Sequence, residues 1–254
     1  MGLVHRWLYD RPGILHGDLS LRNIMCRTIR GKVYGVLADY DLSSWKTPST
    51  TEDVNTSQGM TGTVPFMACD LLDPYKTDTR LVRLYRHDVE SFFYVMLILA
   101  THYEIREPGE GEDGGVRERE GKLQFQDWFE QQSDRELGHI KYCWLWRVTR
   151  EPDFEPSPSF KGLEFWLRRL KSDFLHGFFT RNQHRFSLDP ILRSCGMEDV
   201  PLPCDEETLG GYITYSSIIR PVPDFPGELQ GLVIRYDPPQ IQPSTSTDES
   251  EAHA

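Results

Sequence analysis

A mainly helical fold with one small β-hairpin is predicted by three features of the sequence. Residues 24–26 and 33–38 form a single pair of short β-prone runs, joined through Arg30-Gly31-Lys32 as a Gly-containing turn. Residues 89–101 are apolar almost all round, the pattern of a helix in the middle of a domain. Helical periods then return around residues 125–129, 137–148 and 165–179.

In chain order, residues 2–9 read as helix, which Arg11-Pro12-Gly13 breaks before Ile14-Leu15. The hairpin follows. Residues 45–61 are rich in Ser and Thr without a hydrophobic period, so a mobile loop is expected there. Residues 107–120 are Gly-rich and charged and predict a solvated insertion with little structure of its own. The helical lobe is expected over residues 1–195, with an extension of uncertain structure over 196–236. Residues 237–254 are Pro, Ser, Thr and acidic, the composition of a disordered tail. No internal repeat is found.

Composition narrows the function. The chain has 254 residues, 38% of them hydrophobic and 12% aromatic, enough for a substantial core. Its 39 acidic and 28 basic residues give a net charge of -11, which argues against a general nucleic-acid or anionic-membrane binder, since those need a positive face. Cys26, Cys69, Cys143, Cys195 and Cys204 are odd in number, widely spaced and form no CxxC pair. They suggest neither a disulfide framework nor a zinc site, and an intracellular location, cytoplasmic or nuclear, is expected. The start of the chain does not read as a signal peptide, and the longest apolar run, residues 92–100, is too short to span a bilayer.

The chemistry is concentrated near the start. In His16-Gly17-Asp18-Leu19-Ser20-Leu21-Arg22-Asn23 an Asp is followed five residues later by an Asn just before a strand. Phosphoryl transfer calls for this pair: a carboxylate to orient and deprotonate the attacking hydroxyl, and an amide oxygen to hold a Mg²⁺ ion. Alone, the octapeptide reads equally as a polar loop with an Asx turn. The second run ends in Leu37-Ala38-Asp39-Tyr40-Asp41, an Asp leaving a buried strand before an aromatic residue, placed to hold Mg²⁺ or simply to cap. Two later segments are specific: Thr61-Gly62-Thr63-Val64-Pro65-Phe66-Met67-Ala68-Cys69-Asp70 and Arg86-His87-Asp88-Val89-Glu90-Ser91.

Together these segments resemble the fungal-type protein kinase domain over roughly residues 1–100, and only its C-terminal lobe. The resemblance implies a protein Ser/Thr kinase that uses ATP and Mg²⁺ on a protein substrate. By it, Asp18 is the catalytic base, Asn23 and Asp39 are the metal ligands, and Asn23 and Met25 face the nucleotide. Met25 equally suits a core position. Asp88 would anchor the backbone of the catalytic loop, and Asp70 would pair with a downstream Arg that the sequence does not identify. Several residues depart from the common pattern. Ser20 stands where a phosphate-contacting Lys is usual, and Arg22, four residues after Asp18, reads either as its catalytic replacement or as an exposed loop residue. Gly17 replaces the Arg that grips a phosphorylated activation loop, leaving the hydroxyls of residues 47–61 without that receptor. Asp41 replaces a Gly.

A Gly-rich loop, a strand Lys and a helix Glu would be needed to cover the nucleotide, and none is legible in the chain. The expectation is therefore of a kinase lobe without its N-terminal partner, inactive alone. Two alternatives stand beside it: a small-molecule phosphotransferase of the aminoglycoside or choline kinase type, which has no need of the 61–72 segment, and a non-catalytic pseudokinase module that binds partners.

Overall fold

The computed structural model describes residues 2–45, 62–72, 83–106, 115–130, 133–148, 152–188 and 204–219. All belong to the first of two units, Met1–Asp224, while the second, Phe225–Ala254, lies outside the described residues, as does the tail expected to be disordered.

Helix α1 (Gly2–Asp10) ends where Pro12 and Gly13 follow, and β1 (Ile14–Leu15) pairs antiparallel with β4 (Ser44–Trp45). Between them stand β2 (Ile24–Ile29) and β3 (Lys32–Leu37), in register from Ile24 opposite Leu37 to Ile29 opposite Lys32. Their connection is Arg30-Gly31, at φ 51° and 76°. Two left-handed residues in a two-residue loop match the right-handed twist of the strands, and glycine meets that demand without a steric cost.

A short helix α2 (Cys69–Leu72) precedes the long α3 (Tyr85–His102), and β5 (Tyr103–Arg106) pairs with β6 (Gly115–Glu118). Helix α4 (Asp134–Trp146) is opened by a reciprocal cap, in which Ser133 Oγ accepts from Glu136 N–H at 3.3 Å and Glu136 Oε2 accepts from Ser133 N–H at 3.1 Å. Helix α5 (Glu164–Leu188) and a short α6 (Tyr215–Ile219) complete the described α-helices.

The core is built around α3. Phe93, Tyr94, Leu97 and Ala100 are fully buried against Leu137 and Leu145 of α4, Leu167, Phe174 and Phe178 of α5, and Phe154. The Phe93 ring sits 5.9 Å from Trp144 and 5.7 Å from Phe174. Each buried aromatic or leucine contributes about 2 kcal/mol of transfer free energy, so a helix apolar on every side is stable only where other elements surround it.

The mainly helical expectation holds, but the single-hairpin expectation does not, because three two-stranded antiparallel sheets are formed among the described residues. Two residues per strand, as in β1 and β4, carry too little periodicity to read. Residues 115–118, expected to have little structure, form the exposed strand β6, and their backbone pairing is indifferent to the exposed side chains they carry. Residues 107–114 lie outside the described residues, as do the Ser and Thr residues of the 46–61 segment. Helix α3 starts four residues before residue 89 because Arg86, His87 and Asp88 are themselves buried, so polarity does not mark its boundary.

The extension of uncertain structure, 196–236, contains a packed segment at 204–219. Leu209 and Ile213 are fully buried, and Trp166 Nε1 donates to the Ile218 carbonyl at 2.7 Å. Leu209 fits closely over Gly177, where a Cβ would come within 2.7 Å of the Leu209 Cβ. Among the described residues no helix is long and apolar enough to cross a membrane.

Candidate functional site

The candidate site is organised by the first turn of α3. Asp88 is buried there, and its two oxygens accept from the backbone of the 16–18 loop: Oδ2 from His16 N–H at 2.7 Å and Oδ1 from Gly17 N–H at 3.0 Å. His5 of α1 adds a third partner, its Nε2 lying 2.9 Å from Oδ2. Burial pushes the Asp88 carboxyl up, but the His5 bond and charge, with the Gly17 and His16 amides, outweigh it and hold the carboxyl below its ordinary value. The anchoring role that the resemblance implied for Asp88 is thus present as geometry.

The loop so held presents Asp18. Its Oδ1 accepts from the Thr63 backbone N–H at 2.7 Å, and its Oδ2 from Asn23 Nδ2 at 3.0 Å. Asn23 is buried and also donates to the Asp18 carbonyl at 2.8 Å. Its amide nitrogen is therefore committed to Asp18, which leaves Oδ1 as the acceptor able to meet a cation.

Asp39 is tied to the same loop through the hairpin. One step beyond the Ile24–Leu37 pair, Ala38 N–H donates to the Asn23 carbonyl at 2.9 Å. The His16 ring bridges the two segments, Nε2 at 3.1 Å from the Ala38 carbonyl and Nδ1 accepting from Asp18 N–H at 3.3 Å. This assigns the Nε2–H tautomer. Desolvation holds the His16 pKa below its ordinary value against the pull of Asp88 and the Ala38 carbonyl, so the ring is neutral at pH 7. Asp39 itself is exposed and adopts φ 64°, a left-handed conformation that costs a non-glycine residue about 1 kcal/mol and recurs at functional sites. An amide oxygen and an exposed carboxylate are hard donors that fit a Mg²⁺ ion sharing its remaining positions with water and phosphate.

The other sequence-predicted residues stand further out. Arg22 is exposed on the turn before β2, and no hydrogen bond or ion pair ties it to the described residues. Met25 on β2 is 51% exposed, which removes the alternative that it fills the core. Ser20 is buried.

Sequence reasoning missed four partners. Arg83, just before α3, donates through Nη1 to the Gly17 carbonyl. Arg181 of α5 is the unnamed downstream arginine of Asp70, and Arg86 joins it at 2.7 Å from Asp70 Oδ2. Glu90 is fully buried and caps the other side of the site, its Oε1 accepting from Cys69 N–H at 2.8 Å and Tyr94 O–H at 2.7 Å. Asp88 and Glu90, two residues apart on one helix, thus hold the 16–18 loop and the start of α2. The sequence carried a signal for the last of these, since both acids lie in the Asp88-Val89-Glu90-Ser91 motif; Arg83 and Arg181 lie in no motif.

Residues 3–100 match the model of the family described as fungal protein kinase, consistent with a fungal-type protein kinase domain over that segment. No curated protein and no solved structure gave a significant match.

Proposed function

We propose that the chain is the C-terminal, phosphotransfer lobe of a protein kinase-like enzyme that phosphorylates Ser or Thr residues of a protein substrate. The observation that carries this reading is the Thr63 N–H bond to Asp18 Oδ1, at 2.7 Å. It brings the 62–72 segment, which a small-molecule phosphotransferase does not need, directly onto the candidate base. In this reading Asp18 orients the substrate hydroxyl and accepts its proton, and Asn23 Oδ1 with Asp39 holds Mg²⁺. Mg²⁺-ATP, when bound, supplies the transferable phosphoryl group and neutralises charge on its oxygens. Met25, exposed on the hairpin, is assigned to the nucleotide base and Arg22 to the transferred phosphate. The free thiols of Cys26, Cys69, Cys143 and Cys204 support an intracellular setting.

The test has a binding arm and a transfer arm. Mn²⁺, a paramagnetic stand-in for Mg²⁺, is added with ATP to isotope-labelled chain, and selective broadening of the amides of residues 23–24 and 38–40 is expected. Asp39→Asn should abolish it. Broadening that is uniform, or unchanged in the variant, overturns the metal assignment. Phosphate transfer to a generic protein substrate that is clear above background and equal in the native chain and in Asp18→Asn overturns the catalytic one, whereas transfer absent from both matches a lobe inactive alone.

A further inference from the structure

Gly17 has φ 81°, and a Cβ built on it would meet the Leu42 carbonyl oxygen at 2.4 Å and Arg83 Nη1 at 2.9 Å. A side chain at position 17 would therefore have to occupy the space that Leu42 and Arg83 fill. The loop lacks a cation at this position, and a cation arrives there from the start of α3. Arg83 donates to the Gly17 carbonyl, while Asp88, five residues further on, accepts from the Gly17 N–H. Both polar groups of one residue are thus gripped from the same helix start, one by a guanidinium and one by a carboxylate. The next residue is Asp18.

We infer that Arg83 is a positioning residue for Asp18, acting with Asp88 to fix the two successive peptides, 16–17 and 17–18, that lead into the Asp18 side chain. The role rests on the phosphotransfer reading of Asp18, but the clamp itself is a separate statement about the backbone. Asp88 holds the 16–17 peptide by its N–H, while the 17–18 peptide is held on both sides, its carbonyl by Arg83 and its N–H by His16 Nδ1, so it cannot rotate about the chain direction. That matters because Asp18 has to present Oδ1 to Thr63 N–H and Oδ2 to Asn23, and a displacement of about 1 Å at a reacting group costs on the order of a hundredfold in rate. The guanidinium also lies close enough to Asp18 and Asp88 to feel both carboxylates. Desolvation lowers its pKa and the Asp88 and Asp18 charges oppose that shift, so Arg83 remains cationic among them. A planar guanidinium can bond a carbonyl while its charge faces a neighbouring acid, whereas a neutral side chain offers only the bond.

Amide exchange tests the clamp without requiring turnover. In Arg83→Gln, exchange at Gly17 and Thr63 should accelerate about tenfold or more, with α3 from Val89 to Ile98 unchanged. Arg83→Lys, which keeps a cation and a single donor, should recover most of that protection. Equal exchange in native and Arg83→Gln protein overturns the inference. Acceleration spread evenly through α3 also overturns it, because it marks a residue needed only for folding. The outcome is independent of the phosphotransfer reading: a selective response in Arg83→Gln together with transfer indifferent to Asp18→Asn would keep the clamp and remove the catalytic role. Where Asp18→Asn does abolish transfer, Arg83→Gln should lower kcat by about tenfold to a hundredfold with little change in KM for the protein substrate.

Discussion

Arg181 of α5 donates through both terminal nitrogens to the two oxygens of Asp70, a residue 111 positions earlier at the start of α2. Both partners are buried, and Arg86 adds a second guanidinium on Asp70 Oδ2. A buried pair is weak support for stability when compared with an apolar replacement, yet removing one partner strands a charge in low dielectric. Arg181→Ala should therefore destabilise the chain by about 3 kcal/mol, read as a fall in the urea midpoint at constant slope. Arg181→Lys keeps the charge and loses the paired geometry, and should cost about 1–2 kcal/mol. A loss below about 1 kcal/mol in Arg181→Ala would show that Arg86 suffices alone.

The 204–219 segment should behave as part of the folded unit. Leu209 is completely buried over Gly177, and Glu207 Oε1 accepts from Tyr9 O–H at 2.6 Å and Tyr85 N–H at 2.9 Å. Leu209→Ala removes the apolar contact and leaves a cavity, so a cost of about 3 kcal/mol is expected in thermal or urea unfolding. Unfolding that leaves α1 and α3 unaffected would instead mark the segment as an accessory.

The contrast between these two sites shows what a sequence can carry. The hairpin, the Asp18–Asn23 loop and Asp39 were legible because each is local: a turn chemistry, a fixed spacing, an acid at a strand end. Asp88 was legible through its motif, although its partners are 71 and 83 residues away. Arg181 was not, because α5 carries charges on several faces and nothing in its pattern separates a buried arginine from the exposed ones. Nor was 204–219, which is held by isolated anchors, Leu209, Ile213 and Glu207, and has no period to detect. Arg83 precedes the motif it serves, and its partner is a backbone carbonyl, which no side-chain pattern records.

Gly17→Ala should be among the costlier single changes in the chain. The left-handed φ of 81° is strained for alanine, and the new Cβ would lie 2.4 Å from the Leu42 carbonyl oxygen, a backbone atom that cannot turn aside. A loss of about 3 kcal/mol is expected, with faster amide exchange over residues 15–18 and at Thr63. Native-like exchange in the variant would show that the loop accommodates a side chain there, and the clamp on this peptide would lose its steric basis.

Lys141 offers the sharpest dependence on pH. Its ammonium is fully buried on α4, donates to the Met67 carbonyl at 2.7 Å and lies 4.2 Å from the centre of the Tyr94 ring. Desolvation pushes its pKa down to about 7, with the Glu90 charge opposing. The unfolded chain keeps the ordinary value near 10.5. Below about pH 7 both states hold the proton and the burial cost is fully present. Between about 7 and 10.5 the unfolded chain binds one proton more than the native chain, so stability rises with pH, by up to about 1.4 kcal/mol per unit. Above that window the dependence ends. Urea midpoints measured from pH 7.5 to 9.5 should therefore rise more steeply in the native chain than in Lys141→Met, while groups titrating in both proteins cancel in the comparison. The absolute stability of the variant can move either way, since it loses the bond to Met67 together with the buried amine. The slope is diagnostic: identical slopes would show that Lys141 keeps its proton inside the fold, with Glu90 as a fully ionised partner beneath the start of α2.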